Sequence, residues 1–191
     1  MASNPVTKVT AEEYLAIDRA AEFRSEFLDG EVVAMSGGSA RHSGLQVNLT
    51  AELRNALRGT ACRAFNSDLR VRVSARMYTY PDLSIVCGKV MLADDRQDIL
   101  LNPAVIFEVL SPSTEYHDRG LKFRRYREID SLTDYILVDQ YQVGIEQFTR
   151  GEANTWTLRD HQLPSDVLLI ESIGVSLPLA AIYEGIEFPS E

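Results

Sequence analysis

Three side chains carry chemistry that their surroundings make unusual. Glu108 lies inside VIFEVLSPST (105–114), a run otherwise suited to a buried strand. An ionised carboxylate in an apolar interior is costly unless a cation or several donors compensate it, or until its pKa rises enough to neutralise it. Asp82 follows Pro81 in TYPDLSIVC, at the polar end of another apolar run. Proline lacks a backbone donor and so marks a strand start or edge. Lys122 sits in EYHDRGLKFRRYREI. Spacings of four and three align it with Tyr126 and Ile129, and Asp118 or Arg119 lies one turn earlier, so the lysine falls near a packing face. Carboxylates on neighbouring strands can share a divalent cation, which removes the burial penalty of each. Each residue also has a plainer reading: Pro-Asp forms turns, a buried Glu pairs with an arginine, and a lysine on a packing face extends its amine to water.

The elements that must position these groups follow from periodicity and capping. TAEEYLAIDRAAEF reads as a short helix, with Thr10 as N-cap and Glu13 three residues later. In RSEFLDGEVVAM, Asp29-Gly30 between alternating runs predicts a two-residue hairpin that sets Leu28 opposite Glu31 and Glu26 opposite Val33. A second helix opens at Ser39, ends before Gly59, and carries the apolar stripe Leu45, Leu49, Leu53, Ala56, Leu57. Extended backwards, this stripe places His42 and Gln46 on or beside the buried face. Strands are expected near 61–66, 68–73, 79–87 and 104–110. A third helix, about 115–129, leads to DYILVD (133–139), and a hairpin around Gly151 joins 143–149 to 154–160. The tail after Pro164 is the least patterned part. Strand, helix, strand from 104 to 139 implies a right-handed crossover and a parallel pair within an α/β fold.

With 191 residues and 45 % hydrophobic content, one well-cored domain is expected, at roughly 100 to 200 residues per domain. No apolar run reaches the roughly 18 to 20 residues of a membrane span, and MASNPVTKVTAEEYL has no basic region followed by a hydrophobic one, so a soluble cytoplasmic protein is expected. Cys62 and Cys87 match no metal spacing and read as free buried thiols. The net charge of −9 argues against a nonspecific, whole-surface grip on nucleic acid. Yet 151–191 holds seven of the 28 acids and one of the 19 bases, and basic clusters remain at Arg70, Arg72 and Arg76 and between Arg119 and Arg127. Among His42, His117 and His161 there is no Gly-x-Ser-x-Gly elbow, and SGGSA (36–40) lacks the Gly-Lys-Ser/Thr of a phosphate-cradling loop.

The combination of Pro-Asp, Glu-x-Leu with SPST, a helical lysine, a tyrosine and DYILVD, with EFLDGE and a helical histidine upstream, resembles the Uma-two family of restriction-endonuclease-like proteins, within the PD-(D/E)XK nuclease superfamily. The likeness covers about residues 10–150, with 151–191 an extension of the same domain. It implies a restriction-endonuclease-like core: a mixed central sheet flanked by helices in α-β-β-β-α-β order, with extra β-hairpins. It further implies Asp82 and Glu108 as metal-binding acids and Lys122 as the catalytic lysine, with Glu26, His42 and Gln46 as accessory residues. Leu110 stands where Glu-x-Lys would place a strand lysine; in this family the lysine has moved to the following helix, at Lys122. The function implied is a Mg²⁺- or Mn²⁺-dependent phosphodiesterase acting on DNA, its metal held by Asp82, Glu108 and the Val109 carbonyl. The rivals are a non-cutting nuclease-fold module that binds nucleic acid or forms a homodimer, and a glycosidase with Asp82 and Glu108 as paired acids, which leaves Lys122 without a role.

Overall fold

The computed structural model describes residues 8–35, 37–112 and 114–188. Helix α1 (Ala11–Ala20) opens on the expected capping box: the Thr10 hydroxyl accepts from the Glu13 amide, and the Glu13 carboxylate accepts from the Thr10 amide. Strands β1 (Ser25–Leu28) and β2 (Glu31–Ala34) pair in the predicted register. Asp29 and Gly30 both adopt positive φ, 50° and 95°, as the two-residue turn requires. Helix α2 (Ala40–Ala56) is capped by Ser39, and its buried positions step by four from Leu45 through Leu49 and Leu53 to Leu57. That step passes over Ala56, which faces solvent.

Next come β3 (Cys62–Asn66), β4 (Arg70–Ser74), β5 (Met77–Thr79), β6 (Leu83–Cys87), β7 (Ile99–Leu100) and β8 (Val105–Val109). The single strand expected over 79–87 is broken into β5 and β6, which join different sheets. Pro81, with no N–H for a ladder, lies at the break. The helical passage after β8 is α3 (Glu115–His117), a π turn (Asp118–Lys122) and α4 (Phe123–Tyr126), shorter than the 115–129 expected. It leads into β9 (Asp134–Val138), β10 (Ile145–Arg150) and β11 (Trp156–His161). The tail forms a hairpin of β12 (Val167–Ile170) and β13 (Val175–Pro178), followed by α5 (Leu179–Ile182).

The fold is mixed α/β. One sheet runs β11-β10-β9-β8-β6-β3, and a second runs β2-β1-β5-β4-β7. The β8–β9 pair is parallel and joined by the helical crossover, while β6 lies antiparallel to β8. Both faces of β8 are covered, as is usual for a parallel pair. Val105, Phe107 and Val109 meet Leu45, Leu49 and Leu53 of α2 together with Leu179 and Ile182 of α5. Ile106 and Leu110 meet Tyr126, Ile129 and Tyr135 on the opposite side. The pleat therefore places Glu108 on the face that carries Tyr126. No helix among the described residues is long and apolar enough to cross a membrane.

Cys62 and Cys87 are not the free buried thiols expected. They stand opposite each other in the β3–β6 ladder, with Cα atoms 3.9 Å apart, and form a disulfide; Cys87 is exposed. Their separation of 25 residues conceals a pairing that only strand register creates.

A buried ion pair fastens α1 to the second sheet. The Asp18 carboxylate accepts from the Ser25 amide at 2.7 Å, the Ser25 hydroxyl at 2.8 Å, the Tyr80 hydroxyl at 2.6 Å and the Arg70 guanidinium. Arg70 also lies over the rings of Tyr14 and Tyr80. Burial alone would raise the Asp18 pKa, but the hydrogen bonds from Tyr80, Arg70 and Ser25 hold it below its ordinary value. Asp18→Asn should cost about 3 kcal/mol at neutral pH in chemical denaturation, the lower end for breaking a buried pair. Because the folded pKa is depressed, the carboxylate's contribution is complete above the unfolded value near pH 4 and is lost as pH falls through the folded value. The variant should accordingly lose less stability than the parent on acidification from about pH 4 to about pH 2.

Candidate active site

Lys122 is the centre of the site. Its Nζ lies 3.2 Å from Glu108 Oε1, 3.2 Å from Glu26 Oε1 and 3.3 Å from Asp118 Oδ1. The three acids come from β8, β1 and the π turn, so two sheets and the crossover helix meet at one ammonium. Glu108 is 4 % exposed and Lys122 9 %, so neither reaches water as a surface pair would. The lysine therefore does not snorkel, and Glu108 pairs with it rather than with an arginine. Glu108 Oε1 also accepts from the Tyr126 hydroxyl at 2.8 Å. Glu26 Oε1 accepts from the Thr79 hydroxyl and, at 3.4 Å, from the Tyr80 amide.

The π turn explains how Asp118, Lys122 and Tyr126 act together. In a regular α-helix each step of four residues overshoots a full turn by about 40°, so positions eight apart drift by about 80°. A π turn is wider and falls short of a full turn in four residues. The offsets from 118 to 122 and from 122 to 126 oppose each other, and all three side chains are buried on one face.

Asp82 stands just before β6, where the pairing of Leu83 with Phe107 carries it alongside Glu108. Its Oδ2 accepts from the Val109 amide at 2.6 Å, and its Oδ1 accepts from Gln46 Nε2 at 2.6 Å. His42 Nε2 lies 3.4 Å from Oδ2. His42 and Gln46 are four apart on α2 and so share a face, which makes the first turns of that helix a polar clamp on Asp82.

The electrostatics are those of too few cations. Burial would lower the Lys122 pKa, yet Glu108, Glu26 and Asp118 push it well above the ordinary amine value, so it stays charged. Burial pushes Glu108 well above the usual carboxylate range; Lys122 opposes this, while Asp118, Asp82 and Glu26 add to it. Asp118 is raised by burial in the same way. His42 is raised as well: burial would lower it, and the Asp82 carboxylate outweighs that, helped by the neighbouring Val109 carbonyl. Four carboxylates thus share one permanent cation.

A surplus of anionic oxygen donors is the chemistry that a hard divalent cation recognises, and Mg²⁺ typically needs one or two carboxylates while keeping several waters. Asp82 and Glu108 fit that role, with the Val109 carbonyl beside them. No three of the described His, Cys, Asp and Glu side chains already surround a single point as a closed cage. Both Asp82 oxygens already have protein partners, so an incoming ion would use their remaining lone pairs or displace the Gln46 or His42 contact.

The sequence-derived residues Asp82, Glu108, Lys122, Glu26, His42 and Gln46 all come together here. Sequence reasoning missed Asp118, the hydroxyl of Tyr126, and Thr79. Asp118 and Tyr126 were visible as neighbours of Lys122 on its stripe, but only the π turn shows that both reach the same centre. Arg119, the other candidate one turn before Lys122, instead bridges Glu115 at 2.9 Å and Glu146 at 2.7 Å.

Known proteins agree with this architecture. A solved structure from Anabaena variabilis, described as "a putative nuclease belonging to DUF820", superposes with a TM-score of 0.78, covering 94 % of this chain and 99 % of the other at 17 % identity. An uncharacterized protein of Synechocystis sp. is 38 % identical over 189 residues, 97 % of both chains. A second from that organism is 34 % identical over 156 residues, 81 % of this chain and 88 % of the relative. The family Uma2, described as "Putative restriction endonuclease", matches residues 11–180. With a match of that extent over a fold shared with a nuclease-like structure, the chain belongs to the Uma2 family.

Proposed function

We propose that the protein is a metal-dependent phosphodiesterase of restriction-endonuclease type that hydrolyses DNA, with Asp82, Glu108 and Lys122 as its catalytic group. The observation that carries this reading is the buried convergence of Lys122 with Glu108, Glu26 and Asp118 beside an Asp82 already anchored to the Val109 amide. Leu110 faces the same layer as Glu108, so a strand lysine there would project toward the space that Lys122 fills from the helix. The migrated lysine thus serves the acid from the same side.

Asp82 and Glu108, with the Val109 carbonyl, would hold Mg²⁺ or Mn²⁺. When bound, such an ion polarises the phosphodiester and lowers the pKa of a water. Lys122, held protonated by three carboxylates, cannot act as a base; its Nζ donates a hydrogen bond, either to the attacking water or to the phosphoryl oxygen on which charge develops. Glu26 and Asp118 keep that ammonium in place. Gln46 and His42 hold the orientation of Asp82 from α2, and Tyr126 fixes Glu108 from the opposite layer.

A second reading has its own support. With both Asp82 oxygens engaged by protein donors and Glu108 paired to Lys122, the site is internally satisfied enough to suit a non-cutting module that binds nucleic acid or a second copy of the chain. Calorimetric titration separates the two. The enzyme should bind Mg²⁺ or Mn²⁺ in a manner that Glu108→Gln abolishes, and a non-cutting module need not.

Cleavage of a plasmid or labelled oligonucleotide in saturating Mg²⁺ should fall at least about 100-fold in Asp82→Ala and Lys122→Ala, the scale of losing one group that stabilises transition-state charge. Chelation by EDTA should abolish it. Full activity in either variant would sink the enzymatic reading. Lys122→Met, measured without metal, should lose about 3 to 5 kcal/mol of stability at neutral pH, since it strands buried carboxylates. Glu108 and Asp118 have folded pKa values above the unfolded ones, so the folded state binds more protons and the deficit should shrink as pH falls from about 8 toward about 5. Tyr126→Phe should cost about 1.5 to 3 kcal/mol, the range for a hydrogen bond to a charged group.

A further inference from the structure

The acids of the site repel a polyanionic substrate, and a cation outside the catalytic group would help a bound metal and Lys122 to offset them. Six arginines among the described residues are at least partly buried: Arg19, Arg41, Arg70, Arg119, Arg125 and Arg150. Five are committed. Arg19, Arg70, Arg119 and Arg125 form ion pairs, and Arg150 donates to the carbonyls of Arg127, Ile129 and Asp130. Arg41 differs. It has neither an acid nor a hydrogen-bond acceptor among the described residues for any of its guanidinium nitrogens, whereas Arg70 and Arg150, whose buried Nε atoms are likewise unsatisfied, engage theirs through the terminal nitrogens. The Arg41 guanidinium lies instead over the ring of the exposed Tyr141, 5.4 Å from the centroid.

Position gives this unspent charge its meaning. Arg41 adjoins His42, whose ring touches Asp82, and it belongs to the first turn of α2, where the helix adds partial positive charge. Tyr141 is held to the same end of the sheet by its neighbour Gln140, which donates to the Leu110 carbonyl at 2.6 Å and contacts the Ser39 hydroxyl at 2.5 Å. The Arg41–Tyr141 stack is therefore built beside the carboxyl end of β8, next to the acids. A guanidinium held over a ring by a cation–π contact keeps its N–H donors free for a phosphate oxygen, the group that arginine engages best.

We infer that Arg41, oriented by Tyr141, is the substrate-positioning residue that grips a backbone phosphate adjoining the one at Asp82 and Glu108. The inference rests on the phosphodiesterase reading and names the group that recognises its polyanionic substrate. Arg41 makes no contact with the reacting atoms, so it is a positioning residue.

The test is equilibrium binding of a fluorescein-labelled oligonucleotide, duplex and single-stranded, to the full chain with Ca²⁺ in place of Mg²⁺ across a salt series. Arg41→Ala should weaken binding about tenfold, the effect of one charge-assisted hydrogen bond. It should also reduce the slope of log K against log salt by about 0.7 to 0.9, the signature of one lost phosphate contact. Arg41→Lys should restore the slope but not the full affinity, and Tyr141→Ala should weaken binding several-fold with the slope intact. Arg58→Ala, which removes the same charge roughly 25 Å away beyond the other end of α2, should leave affinity within about twofold of the parent. If the parent binds and Arg41→Ala matches it in affinity and slope, or if Arg58→Ala weakens binding as much, the inference falls while the phosphodiesterase reading stands. If the parent binds neither probe, both fall.

Discussion

The structure depends on one buried ammonium surrounded by carboxylates. Lys122 is the point at which the hairpin strand carrying Glu26, the central strand carrying Glu108 and the π turn carrying Asp118 are joined. Desolvating so many charges gains little net stability, because the Coulomb attraction is largely offset by the loss of hydration. What it gains is intolerance: each member keeps the others soluble in the interior, and no apolar residue can replace one alone. The surrounding hydrophobic layers, with α2 on one side of β8 and Tyr126 and Tyr135 on the other, supply the stability that this centre does not.

Charge then organises the rest of the site. The lysine answers the acids on the face of β8 that carries α4, while Asp82 is answered from α2 by His42 and Gln46 and from the strand by the Val109 amide. The acidity of the whole chain, −9, is compatible with a phosphate-bearing substrate because recognition need not come from a broad basic surface. On the proposed reading, a few directed donors beside the Asp82 and Glu108 carboxylates suffice for that chemistry. Fold alone would not, since one architecture hosts many functions.

Local rules made much of this legible. The two-residue turn at Asp29-Gly30 sets its own register, which is why the local sequence alone places Glu26 opposite Val33. A carboxylate inside an apolar run demands compensation wherever it occurs, and that demand pointed from Glu108 to Lys122. The rest hinged on relations between distant segments. The Cys62–Cys87 bond follows from the β3–β6 register, and the division at Pro81 follows from which sheet each half-strand joins. Asp118 escaped notice as a site residue because α-helical spacing leaves its side chain only loosely related to that of Tyr126. Neither the Gln46 contact nor the Val109 amide is announced by residue type; both depend on where Asp82 comes to rest.

The π turn accommodates one residue more than an ordinary helix would need to join Asp118 to Lys122. A chain that lost one residue between Asp118 and Lys122 would keep every acid, the lysine and the tyrosine, and could close the gap as an ordinary helix with its backbone hydrogen bonds intact. Its composition would look unchanged, and because three α-helical steps turn about 300°, not far from the sweep of the four wider π steps they replace, Asp118 would still face the ammonium as a neighbour three residues away. In relatives of this protein, a chain one residue shorter across DRGLK could therefore keep an assembled centre, so the charged residues themselves are a better mark of it than their exact spacing.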